Sequence, residues 1–166
     1  MPVLAINSIP HAALATLPVI RITDILGLLL YVGGLGFEVL ADRQKNQWVQ
    51  EKKRKEHDED FLTRGLWSKS RHPNYFGEST LWTGIATLAG GVLVGNVGQV
   101  GMGLGGTSYG RILGVGMAVM SPAFVTFLLL KVSGVPLSEK KYDERYGGRK
   151  DYQEWKRNTP MFIPKF

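Results

Sequence analysis

The sequence predicts an all-α protein: a polytopic membrane helical bundle of about three transmembrane helices, with a cytosolic helical loop and tail. Three observations carry this. Residues 19–41, 79–98 and 111–131 hold most of the Leu, Ile, Val and Gly, and each run is about 20 residues, enough to cross a hydrocarbon core of roughly 30 Å as a helix. Charge collects between the runs, with nine of the twenty Lys and Arg in the loop 42–72 and nine more in the tail 131–166. Ile25 to Val32 and Phe124 to Leu130 are apolar on every side, without the polar stripe that a surface helix of a soluble bundle carries. At 166 residues the chain is long enough for a single domain.

Pro2, Pro10 and Pro18 keep the first 18 residues from forming one regular helix. Met1 to Pro18 lacks the basic start of a signal peptide, so it reads as the stub of a preceding membrane segment or lumenal loop. The first long helix is expected from about Val19 or Thr23 to Lys45, with Asp24 near its start, where a carboxylate suits the helix dipole. Glu38 and Asp42 are four residues apart, so they stack on one face and repel. A loop cation or the hydroxyls of a ligand should compensate. Residues 43–60 contain helix formers and mixed charge but little apolar face, and are expected to extend that helix into solvent. Lys52 to Lys55 are candidates for lipid headgroup contact, opposed by the acidic stretch Glu56 to Asp60. His57 has no partner at metal-ligand spacing and is given no role.

Gly101, Gly103, Gly105 and Gly106 look superficially like a dinucleotide loop, but they neither follow a strand nor open a βαβ unit. Gly91 with Gly95, and Gly110 with Gly114, have the spacing that lets membrane helices approach closely. Pro122 is a candidate kink in the third segment. Gly134 and Pro136 end that helix. A short polar helix follows, broken at Gly147-Gly148, then another from about Lys150 to Arg157. Pro160 and Pro164 should keep the end extended, with Met161, Phe162 and Ile163 against the membrane surface.

The connection near 96–110 has no charge, whereas the loop and the tail are rich in Lys and Arg, so both charged segments are expected on the cytosolic face. The net charge of +6 reads as topology and attraction to anionic lipid. No aromatic-interleaved basic face accompanies it, which argues against nucleic acid as a partner. The chain contains no cysteine, so disulfides and thiolate metal sites are excluded. No metal site is expected, and no protein partner can be named.

The densest chemistry lies in Arg64-Gly-Leu-Trp-Ser-Lys-Ser-Arg71-His72-Pro-Asn74-Tyr75-Phe-Gly-Glu78, directly before the second apolar run. Ionisable groups at a membrane boundary are costly unless they pair or bind, which marks this stretch as a candidate site.

Glu38-x-x-x-Asp42-x-Gln44-Lys45 precedes that stretch, and Gly134-x-Pro136-x-x-Glu139, Tyr146-Gly147, Tyr152 and Thr159-Pro160-x-Phe162-Ile163-Pro164 follow it. Over roughly residues 36–166 this pattern resembles the C-terminal domain of the steroid 5α-reductase family. The likeness is nearest to a branch of bacterial and fungal membrane proteins, related to sterol reductases and isoprenylcysteine methyltransferases. The resemblance implies an integral membrane reductase that takes a hydride from NADPH to saturate an activated C=C bond in a sterol or enoyl lipid. In a eukaryotic cell it implies the endoplasmic reticulum. It also implies cofactor contacts by Asn74, Glu78, Asp42 and Glu38, and by Arg71 and His72 of the wider reductase and methyltransferase motif. Arg64, Tyr75, Glu139 and Tyr152 complete the implied cofactor set; no catalytic residue is assigned. The chemistry agrees: arginine forks suit phosphates, carboxylates accept from ribose hydroxyls, and an asparagine both donates to and accepts from a carboxamide.

Active relatives have further membrane helices before this region, which supply the acid that polarises the substrate carbonyl. The chain is therefore expected to be the cofactor half, truncated and without the substrate half. Two alternatives stand beside the reductase. One is an isoprenylcysteine- or phospholipid-type methyltransferase using S-adenosylmethionine, and the other a non-catalytic truncated paralogue.

Overall fold

The computed structural model describes residues 6–7, 9–15 and 20–166. Among these the regular elements are all helical: α1 (His11–Leu14), α2 (Ile22–Lys53), a 3-10 turn (Gly65–Ser68), α3 (Pro73–Val94) and α4 (Asn96–Gly101). There follow α5 (Ser108–Phe127), a π-helical turn (Leu128–Val132), α6 (Val135–Tyr146) and α7 (Lys150–Asn158). Pro10 directly precedes α1; the expectations placed on Pro2 and Pro18 lie outside the described residues.

Two helical stretches among the described residues, Ile22–Lys53 and Ser108–Tyr146, are long and apolar enough to cross a membrane. Only 17 % of the apolar window of each is buried within the protein, unlike the core helix of a soluble bundle. Ile25, Leu29, Val32, Val119 and Phe124 are all exposed. The expected third span is less clear-cut. Residues 79–98 do not form one helix, because α3 stops at Val94 and α4 starts at Asn96. At 22 residues α3 has the length, about 33 Å at 1.5 Å per residue, but Ser79, Thr80, Thr83, Thr87 and four glycines dilute its apolarity. Pro122 lies inside α5, which continues past it to Phe127.

The chain forms two compact units. In the first, residues 1–33 and 79–126, α2 and α3 meet through glycine. A Cβ on Gly84 would lie 2.5 Å from the Tyr31 nitrogen and 2.6 Å from the Gly27 oxygen, and one on Gly27 would lie 2.7 Å from Leu88 Cγ. A side chain on Gly91 would strike the Thr23 hydroxyl, and one on Gly114 would press on the Leu93 oxygen. Gln99 is fully buried and donates to the oxygens of Leu93 (2.6 Å) and Gly110 (3.0 Å), which pins the uncharged connection between α3 and α5. Thr126 donates to the Ser79 hydroxyl at 3.0 Å. The close approach expected of Gly91, Gly110 and Gly114 is present, whereas Gly95 meets only its own turn.

The second unit comprises residues 34–78 and 127–166. Here Gly77 packs on α2, where a Cβ would lie 2.6 Å from the Glu38 nitrogen and 2.8 Å from the Gly34 oxygen. The expectation that residues 43–60 extend that helix into solvent holds as far as Lys53 and fails beyond it. α2 ends at Lys53, Lys55 takes a positive φ of 60°, and the chain folds back. Trp48 is buried, its indole N–H donating to Glu59 at 2.8 Å and its ring stacking on His57. His57 therefore has a structural role. A lone Trp and a lone His in a polar run show no periodicity, because their partners come from the returning loop rather than from the helix.

The tail expectation also needs correcting. Arg71 N–H donates to the Pro160 oxygen (2.8 Å), Lys165 N–H to the Lys69 oxygen (2.9 Å) and Ser70 Oγ–H to the Phe162 oxygen (2.8 Å). Phe162 packs edge-on against Phe76, with ring centroids 5.8 Å apart, so its ring belongs to the unit. Met161 and Ile163 remain exposed.

The glycine contacts set a test. Gly84→Leu should cost roughly 1–3 kcal/mol or more through overpacking, whereas Gly33→Leu, with open space around its Cβ, should cost little. Thermal unfolding in detergent, followed by tryptophan fluorescence, reads the difference.

Candidate functional site

The site is assembled within the second unit, starting from α2. Gly65 has a φ of +59°, and a Cβ there would lie 2.5 Å from Gln44 Oε1, so both conformation and space demand glycine. That approach lets Leu66 N–H donate to Gln44 Oε1 (2.8 Å) and Trp67 Nε1–H to the Ala41 oxygen (2.9 Å). Ser70 is fully buried and accepts from the His72 N–H. Pro73 then opens α3, a position where its missing N–H costs nothing.

Arg71 and His72 are thereby aimed at α6. Arg71 Nη1 donates to Glu139 Oε2 at 2.5 Å, and His72 Nε2 lies 3.0 Å from Glu139 Oε1. Because an ionised carboxylate only accepts, that His72 nitrogen carries the proton. Lys156 of α7 completes the set, 2.9 Å from Glu139 and 2.5 Å from Asp143. The Tyr152 hydroxyl donates to Asp143 at 2.8 Å. Burial alone would push the Glu139 carboxyl up, but hydrogen bonds from His72 and Lys156 and the charges of Arg71 and Lys156 outweigh it and hold it at about 2. Burial and the Asp143 hydrogen bond push the Tyr152 phenol up, so it stays neutral.

Beside this hub lies a cavity of about 90 Å³, or about 670 Å³ when the open space at its mouth is counted. Its wall is aromatic: Trp48, Phe61, Trp67, Tyr142, Tyr152 and Trp155. Lys45, Arg71, His72, Asn74, Tyr75, Ser138 and Glu139 add polar groups. Arg71 Nε, Trp155 Nε1 and Asn74 Oδ1 are buried and have no partner among the described residues. A buried polar atom left unpaired costs about 1–3 kcal/mol, so two donors and an acceptor in side chains that line one cavity mark a candidate place for a polar ligand. The Tyr75 ring lies parallel to His72 (5.4 Å) and against Gly134, just after the π-helical turn. Helix irregularities of that kind recur at functional sites.

Six of the ten residues singled out from the sequence line this cavity: Arg71, His72, Asn74, Tyr75, Glu139 and Tyr152. Glu38, Asp42 and Glu78 do not. They form a neighbouring acidic group, with Glu38 in the field of Glu78 and Asp42. The compensating loop cation expected there is not found: none of the three forms an ion pair among the described residues. Burial first, and the charges of Glu78 and Asp42 second, push the Tyr75 phenol up. Arg64 lies elsewhere, paired with Glu51 (3.0 Å) and Glu59 (3.2 Å). Sequence reasoning missed Ser138 and the aromatic wall apart from Tyr152, and it quoted Lys45 without giving it a role. The one available signal was the density of Trp, Tyr and Phe in segments otherwise too charged to need them.

A family model described as "protein of unknown function (DUF1295)" matches residues 1–159, which include every residue of the cavity. The chain belongs to the DUF1295 family. No curated protein and no solved structure matches the chain.

The depressed Glu139 carboxyl gives this DUF1295 member a specific acid response. Its stabilisation is complete above the ordinary carboxyl value of 4.5 and is lost as pH falls toward about 2. Thermal unfolding scans should show that loss in the parent and a much flatter profile between those limits in Glu139→Gln, which starts from a lower midpoint at pH 7.

Proposed function

We propose that the chain is a multi-pass membrane domain of steroid 5α-reductase type that binds NADPH, with its charged loop and tail in the cytosol. The reaction served is reduction of an activated C=C bond in a sterol or enoyl lipid. The observation that carries this reading is the trio of unpaired buried atoms, Arg71 Nε, Trp155 Nε1 and Asn74 Oδ1, in side chains that line one aromatic-walled cavity. A ligand that answers them must offer acceptor oxygens, a donor and flat rings. A nicotinamide dinucleotide has phosphate and ribose oxygens, a carboxamide NH₂ and two ring systems.

Asn74 would hold the carboxamide, and the aromatic wall would hold a ring. Arg71 already shares its charge with Glu139, and Arg64 is engaged by two glutamates. Lys45, over the Trp67 ring at 5.3 Å and in no ion pair among the described residues, is the cation left for a phosphate. Glu38, Asp42 and Glu78 would accept from ribose hydroxyls extending past Tyr75. The cofactor, when bound, supplies a hydride, and the protein's part is to orient it and exclude water.

A second reading, an S-adenosylmethionine methyltransferase, is favoured by the same wall, since aromatic faces attract a sulfonium cation. Titration of the detergent-purified protein with each cofactor, followed by tryptophan quenching, separates the two. NADPH should bind, and Asn74→Ala and Lys45→Ala should each weaken it about tenfold, the worth of one charge-assisted or buried hydrogen bond, with Lys53→Ala unchanged. Binding of S-adenosylmethionine with indifference to NADPH would replace the reductase reading.

A further inference from the structure

The first unit contains a second, larger cavity that the reductase reading does not use. It is a groove enclosing about 1880 Å³, open side included, walled by α2, α3 and α5. Small side chains make it: Ala86, Gly90, Gly91, Ala118 and Ala123 leave the space that larger residues would fill. At one end are Arg21 and Thr23. Arg21 Nη1 and Thr23 Oγ1 are buried without a partner among the described residues. Thr23 reaches its position only because Gly91 has no side chain. The other Arg21 nitrogens are spent on Asp24, with Nη2 at 2.7 Å from Oδ1 and Nε at 3.0 Å from Oδ2.

We propose that this groove holds one acyl chain of a bilayer glycerophospholipid, with the chain's ester carbonyl accepting from Arg21 Nη1. The groove's mostly apolar lining favours hydrocarbon over water. Asp24 cancels the Arg21 charge, so the pair presents a donor with no net charge. That suits a neutral carbonyl oxygen better than a phosphate. Arg21 and Asp24 directly precede the all-apolar run Ile25 to Val32, the depth at which ester groups meet hydrocarbon. The assignment rests on the membrane part of the proposed function and is independent of any cofactor.

The test uses the full chain in phosphatidylcholine nanodiscs carrying a trace of phosphatidylcholine with a diazirine in mid-chain, followed by peptide mapping. Incorporation is scored first, by co-elution with the disc; failure there overturns the membrane reading and this proposal together. With incorporation, crosslinks should concentrate on residues 83–95 and 115–126 over the outward face at Leu28 and Leu29. Ala123→Trp, an exposed wall position, should deplete them several-fold. An ether-linked analogue, lacking the carbonyl, should label the unmodified groove about fivefold less, the worth of one hydrogen bond. Even labelling of all apolar faces, unmoved by Ala123→Trp, would mean annular lipid only and would overturn the proposal. Equal labelling by ester and ether lipids would overturn the role given to Arg21.

Discussion

Three cationic or proton-donating side chains, Arg71, His72 and Lys156, converge on the carboxylate of Glu139. Arg71 and His72 come from the approach to α3 and Lys156 from α7, while Glu139 belongs to α6. A partly buried carboxylate is stable only when its lone pairs are answered, and here three donors answer them. The rest of the second unit follows from that convergence. Asp143 is drawn to Lys156, Tyr152 to Asp143, and the aromatic rings of Phe61, Tyr146 and Tyr152 close around the junction. Arg71, His72, Glu139 and Tyr152 all line the cavity. The unpaired Nε of Arg71 is the atom that the Glu139 contact does not reach.

The first unit is held by a different constraint, the absence of side chains. Helices in a hydrocarbon setting gain little from burying apolar surface against one another, so close backbone packing must hold them. Gly27 and Gly84 provide it, together with Thr23 against Gly91. In the second unit Gly34 and Gly77 repeat the device. Gly27 and Gly34 are seven residues apart, as are Gly77 and Gly84, which returns each pair to the same helix face after about two turns. The same small residues that permit contact also leave space, which is why the groove at Ala86, Gly90 and Ala118 borders the tightest contacts of the unit.

The acidic group Glu38, Asp42 and Glu78 adjoins the cavity without lining it. Like charges held near one another without an ion pair are a cost that the described residues do not remove. Under the proposed function, the ribose hydroxyls of a cofactor would relieve it. The Tyr75 ring, between His72 and Gly134, is the side chain that connects the acids to the cavity.

The sequence by itself determined the helical class, the apolar character of the first and third runs, and the breaks at Gly134 and Gly147-Gly148. These are local properties: periodicity, run length and the conformational limits of Gly and Pro act over a few residues. It also marked Arg71, His72, Asn74 and Tyr75, because polar residues crowded at an apolar boundary need partners, whereas Glu139 and Tyr152 were marked by the family resemblance. Only the tertiary structure decided which partners they have. It drew Arg64 off to Glu51 and Glu59, folded the loop after Lys55 back over Trp48, and strapped the end of the tail along Lys69 to Arg71. It also revealed that Trp48, Phe61, Tyr142 and Trp155, scattered across more than a hundred residues, line one wall. Aromatic contacts and ion pairs are formed between distant segments and leave no period in the chain, so their register emerges only when the helices are packed.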